Sequence, residues 1–260
     1  MEAVSPSDQS HILLFDVDDG LFKSCFGKDE DWSCRVVSLS SKCSTADLDN
    51  ALCEPGLLSV VFMDVEGDHA NLVKNYYLKG GLVAFFGIYG EFSAPRDLSN
   101  AFGIGPWSFS GYTKHEFQLT LPALHRFGNN VKEQQYTKSN LVNATVKDRL
   151  MVPKELSYKE FIEEYLGLCP DDDGNYDEED EEDMKLAPQK YEKYREDMAL
   201  QSPLVMHESF NGGAVAYLGF VNGDGYIPLI VRALLTKQKI EQAEAEEITR
   251  ARHARRNMFD

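Results

Sequence analysis

No stretch of this 260-residue sequence approaches the ~20 consecutive apolar residues that a membrane-spanning helix needs. Paired metal-binding cysteines are missing as well. The five cysteines stand at positions 25, 34, 43, 53 and 169, with no CxxC among them, which argues against a zinc site. The first ten residues, MEAVSPSDQS, show neither a basic segment nor an apolar one, so the expected location is the cytoplasm and the odd number of cysteines is expected to remain as free thiols. Positive charge is also scarce: 26 Lys and Arg face 43 Asp and Glu, a net −17. Such a surface repels phosphate backbones, so nucleic acid is not an expected partner, and nothing apolar enough is present to make a membrane one.

The negative charge is unevenly placed. Asp171 to Asp183 (DDDGNYDEEDEED) carries ten carboxylates and no base, leaving about −7 for the rest of the chain. Gly174 falls fourth in the run, not sixth, so it is not an EF-hand loop. Crowded carboxylates repel one another and cannot pack. The reading is a solvated acidic loop, inserted at about residues 170–185, through which the chain could act as an acidic interaction protein.

What the sequence does have is alternation of short apolar runs with helical segments. His11 to Phe15, Arg35 to Leu39, Leu57 to Met63 and Leu82 to Phe86 read as strands; Thr45 to Ala51 and Ala70 to Lys79 read as helices between them. This spacing predicts βαβ units and a mostly parallel sheet with helices on both faces, a flavodoxin-like α/β fold. Arg96 to Phe102 reads as a short helix. From Trp107 to Thr120 the text turns β-like and aromatic, Pro122 to Phe127 reads as a helical turn, and Lys138 to Val152 as one or two further short strands. Tyr158 to Leu166 reads as an amphipathic helix with Phe161, Ile162 and Tyr165 inward, and Gln189 to Leu200 as a charged helix. A β-hairpin is expected around Asn211-Gly212-Gly213, then a core helix from Pro228. The organisation expected is a polar leader (1–10), one domain (11–236) and a charged C-terminal helix (237–260).

Two stretches carry possible chemistry. LLFDVDDGLF (Leu13 to Phe22) resembles the first motif of the haloacid dehalogenase phosphatases, a strand ending in Asp-x-Asp-x-Thr. That resemblance implies a Mg²⁺-dependent phosphohydrolase with Asp16 as nucleophile and Asp18 as general acid or base. Gly20 stands where the threonine belongs, and Gly223-Asp224 is not followed by an Asp four residues on.

The second resemblance spans roughly residues 11 to 235. GGLVAFFGIYGE (Gly80 to Glu91), the middle blocks YTKHEFQLT, YTKSNL and RLMVP, and the closing GGAVAYLGFVNGDGYIPLIVRALL (Gly212 to Leu235) resemble the class I glutamine amidotransferase-like superfamily, especially its uncharacterised and trehalose-utilisation-like branches. In true amidotransferases the fourth strand ends Gly-Ile-Cys-x-Gly, with the cysteine activated on a strained elbow. Here the elbow reads Gly87-Ile88-Tyr89-Gly90-Glu91, and a phenol with a pKa of about 10 is a poor substitute for a thiolate. His207-Glu208 is adjacent where the family has His-x-Glu. The resemblance therefore implies a non-glutaminase member that binds a small polar molecule or a protein at the strand-end cleft, or a hydrolase assisted by carboxylates or a metal. Tyr89, Glu91 and His115 are the catalytic candidates; Asp64, Glu66, Asn222 and Asp224 are the ligand-binding ones. Carboxylates gathered on one edge would suit a hard divalent cation.

Overall fold

The computed structural model describes residues 10–64, 67–87, 94–128, 131, 135–168, 178–221 and 226–246. Three of the predicted strands form with the boundaries the apolar runs dictate: β1 (His11–Phe15), β2 (Arg35–Leu39) and, after β3 (Leu57–Phe62), β4 (Leu82–Phe86). Between them lie α1 (Asp19–Phe26), α2 (Thr45–Cys53) and α3 (Gly67–Leu78), and α4 (Ala94–Phe102) follows β4.

An antiparallel excursion comes next. It contains β5 (Ser108–Leu119), α5 (Leu121–Phe127), β6 (Gln135–Asn143), β7 (Met151–Pro153), the single helical turn α6 (Tyr158–Glu160) running into a π-turn at Phe161–Tyr165, α7 (Glu178–Met198) and β8 (Gln201–Ser202). The chain closes through the hairpin β9 (Leu204–Glu208) and β10 (Ala214–Leu218) into α8 (Ile227–Thr236).

The main sheet has six strands in the order β2-β1-β3-β4-β10-β9, all parallel except β9, and the second has four antiparallel strands in the order β7-β5-β6-β8. Alternation along the central strands sends side chains to two cores. Ile12, Leu14, Ala84, Phe86 and Ala216 meet α1, α5 and α8 on one face; Leu13, Phe15, Val83, Val215 and Tyr217 meet α2, α3 and α4 on the other. This split follows from chirality: crossovers stay right-handed, so reversing the direction of strand addition at β1 moves the helices to the opposite face. Phe22, Phe26 and Phe86 form an edge-packed trio with centroids 5.1–5.9 Å apart, each ring fully buried. Burial on that scale stabilises by roughly 1.5–3 kcal/mol per side chain. The second sheet is continuous with both cores: Leu141 and Phe117 join the first, Val142 and Trp107 the second.

Three expectations need correction. The acidic run is not wholly a loop, because α7 begins at Glu178 and takes in the carboxylates up to Asp183. Carboxylates at a helix N-terminus face the positive end of the helix dipole, which offsets their mutual repulsion; residues 171–177 lie outside the described residues. The segment read as an amphipathic helix is one α-turn followed by a π-turn, with Phe161 and Ile162 buried as expected. The tail does not continue as a helix from 237: Lys237 adopts φ 57° and ends α8, and the Ile240 N–H donates to the Phe127 carbonyl at 2.9 Å before helix resumes at 242. Cys25, Cys34, Cys43 and Cys53 are free thiols. Among the described residues no helix is long and apolar enough to cross a membrane.

Candidate functional site

At the carboxyl edge of the parallel strands, the residues of the first motif have structural partners. Asp16 follows β1 with φ 53°, and its carboxylate accepts from the Ser41 hydroxyl at 2.7 Å and the Ser41 N–H at 3.4 Å. Asp18 is the N-cap of α1, accepting the Leu21 N–H at 2.7 Å. Asp64 is exposed just past β3. His69, on α3, lies against Phe15 with ring centroids 5.4 Å apart, and its Nε2 is buried without a hydrogen-bond partner among the described residues. Glu66, Tyr89, Glu91, Asn222 and Asp224 lie outside the described residues.

Of the elbow, the structure describes Gly87. Its N–H donates to the Leu218 carbonyl at 2.9 Å and its carbonyl accepts from Asn140 Nδ2 at 2.6 Å. A Cβ at this position would sit 2.4 Å from the Tyr217 hydroxyl oxygen, so the glycine answers to a close ring contact rather than to a positive φ. Burial pushes the Tyr217 phenol well above its usual range.

His115 lies on β5 opposite Thr137, and its Nε2 donates to the Lys154 carbonyl at 2.9 Å. Glu116 holds the Lys154 ammonium at 3.3 Å, so both residues tie β5 to the segment following β7. No group of three or more His, Cys, Asp and Glu that could hold a metal ion occurs among the described residues.

The structure opens a cavity of about 790 Å³ at the other edge of the sheet. Its walls include Leu82 and Ala214, the first residues of β4 and β10, together with Lys237 beyond the last turn of α8, so it lies at the amino ends of the parallel strands. Two elements bring its polar groups together. The segment after β6 runs beside β9, with the Met206 N–H donating to the Asp148 carbonyl at 2.7 Å and the Leu150 N–H to the Leu204 carbonyl at 2.9 Å. This places the Asp148 side chain, 3 % exposed, against His207, with Oδ1 3.1 Å from Nδ1. The other carboxylate oxygen accepts the buried Trp107 Nε1–H at 3.2 Å.

An ionised carboxylate only accepts, so both its partners must donate, and His207 Nδ1 carries a proton. Nε2 is then the ring position left for a ligand: an acceptor in the neutral ring, a donor in the doubly protonated one. Around this pair the lining, among the described residues, holds four cationic side chains, Arg126, Lys147, Lys237 and Lys239, against two carboxylates, Asp148 and Glu208. Arg126 is paired with Glu208; the three lysines form no ion pair among the described residues. In a chain of net charge −17 this is a local reversal of sign.

Sequence reasoning noticed His207-Glu208 as a pair and missed Asp148, which lies 59 positions away in sequence. The signal was faint: a lone acid in a turn, in a short segment whose bridge to β9 no local pattern announces. Comparison of the sequence with family models, with curated proteins and with solved structures returns no match.

Proposed function

We propose that this chain is a flavodoxin-like, amidotransferase-like α/β protein without glutaminase activity, and that it binds a small organic anion in the cavity at the amino edge of its main sheet. The fold part of the reading is supported by the parallel strands β2-β1-β3-β4-β10, which correspond to the order 2-1-3-4-5 of the flavodoxin-like arrangement, with helices on both faces. The functional part is carried by one observation: a buried carboxylate, braced by an indole N–H, orients an imidazole on the wall of a cavity rimmed by lysines that form no ion pair among the described residues. A volume of about 790 Å³ lies in the range of small-molecule sites, and the lining joins buried apolar residues to a group of charged ones.

Calorimetric titration with octanoate and with citrate at low salt tests it. Binding of either anion should weaken tenfold or more in the double variant Lys147→Glu/Lys239→Glu, with the thermal midpoint unchanged. Absence of binding by both anions to the wild-type protein would end the reading.

A second reading keeps the ligand at the carboxyl edge, near the β1/β3 switch point where flavodoxin-like sheets place ligands. The buried Nε2 of His69 beside Phe15, without a hydrogen-bond partner among the described residues, favours it. Its test is turnover of p-nitrophenyl phosphate with Mg²⁺ in the wild type and in Asp16→Asn; no turnover in either removes the phosphohydrolase form of this alternative.

A further inference from the structure

Apart from Asp148 and its partner His207, the buried part of the cavity lining is apolar. Leu82, Leu150, Met206, Ala214 and Ala233 are all less than a tenth exposed and carry no polar side-chain group. The lysines at positions 147, 237 and 239 are exposed. The cavity therefore has an apolar floor, built from the starts of β4 and β10, the middle of β9, the segment before β7 and the last turns of α8, and a basic mouth above it. A compact polyanion would satisfy the mouth and leave the floor in contact with water. A cation with an apolar body would suit the floor and meet three ammonium groups on entry.

We infer that the ligand is an aliphatic monocarboxylate, its carboxylate held at the mouth by the lysines and the His207 ring, its alkyl chain lying along the floor. This rests on the reading of the cavity as an anion site and names the class of anion. Displacing water from apolar floor surface supplies the affinity, and the charges supply orientation and selection. The ordering of the lining makes the binding energy additive along the chain, because each further methylene meets the same kind of surface until the cavity is full.

The experiment is a calorimetric series of butanoate, hexanoate, octanoate and decanoate on the full chain, with octylammonium and citrate as comparators. Affinity should rise roughly fourfold per methylene, the value expected for complete burial of each CH₂. Octylammonium should bind at least tenfold more weakly than octanoate. Ala233→Leu, which fills the floor, should cost octanoate tenfold or more and butanoate less than threefold. Where Ala233→Leu fails to fold, Lys147→Glu should weaken every member of the series by a common factor and leave the chain-length dependence intact.

Affinity that is flat with chain length while citrate binds would overturn the inference and leave the anion site standing. Octylammonium binding as tightly as octanoate would overturn it too, as would a chain-length dependence that a folded Ala233→Leu does not alter. Failure of every anion to bind would remove the underlying reading instead.

Discussion

At the scale of single residues, the decisive group is Asp148. Its two oxygens serve two donors, Trp107 Nε1–H and His207 Nδ1–H, and the carboxylate and the indole are both buried. Asp148→Asn would keep the shape and change the hydrogen-bond logic. The amide oxygen would go to Trp107, because an indole N–H can only donate, and the amide NH₂ would then face His207. Nδ1 would have to present its lone pair, moving the ring proton to Nε2. The expected outcome is a switch of His207 to the Nε2–H tautomer in its imidazole ¹⁵N spectrum, at a stability cost of about 1–2 kcal/mol in urea denaturation. Retention of the Nδ1–H tautomer would show that Asp148 does not set the ring's protonation. Asp148→Leu should cost more, because it leaves a buried indole N–H unpaired. The same residue-level view explains Gly87: its place in the elbow stretch fixes it less than the Tyr217 ring lying across the position a Cβ would take.

Among the elements, helix starts hold most of the legible polar chemistry. Asp18, read from sequence as a catalytic acid, caps α1, and Asp18→Ala should lower stability by about 1 kcal/mol without changing anion affinity. Ser44 and Asp47 cap α2 reciprocally, as Ser157 and Glu160 cap α6. Hydrogen bonds from their capping serines hold Asp47 and Glu160 below the usual carboxylate range. A depressed folded-state pKa gives stability that is present above the unfolded value and lost as pH falls through the folded one. The urea midpoint should therefore drop as pH falls below about 4, where unfolded carboxylates take up protons, and less steeply in Ser44→Ala/Ser157→Ala; an unchanged acid limb in that variant would remove the capping boxes from the cause. What the sequence made legible follows the range of the forces. β1 and β4 are short, largely apolar runs whose limits coincide with those read from the chain, since burial on both faces leaves no ambiguity of period, while the limits of the half-buried β2 follow from its β-branched alternation. The start of α7 inside an acidic run, and the meeting of Asp148 with His207, depend on a helix dipole and on pairing with β9 across more than fifty residues. Neither effect leaves a local pattern.

For the whole molecule, the field at long range and the field at the cavity have opposite signs. The chain carries −17, while the cavity presents, among the described residues, four cationic side chains against two carboxylates. An approaching anion is first repelled by the surface as a whole and then attracted by the lysines within a few ångströms. These two fields respond differently to salt. The Debye length is about 30 Å at 0.01 M and about 8 Å at 0.15 M, so added salt removes the distant repulsion long before it reaches the contacts in the mouth. The association rate for octanoate should therefore rise a few-fold between 0.01 and 0.15 M salt, against the usual trend for a basic anion site. Its dissociation rate should change little over the same interval. Lys147→Glu should do the reverse, raising the dissociation rate at every salt concentration. Stopped-flow displacement of a fluorescent carboxylate reads both rates in one experiment, with octanamide as a neutral competitor whose rates should not respond to salt. An association rate that falls with salt would mean that the lysines alone govern approach and that the acidic surface is too far from the mouth to matter.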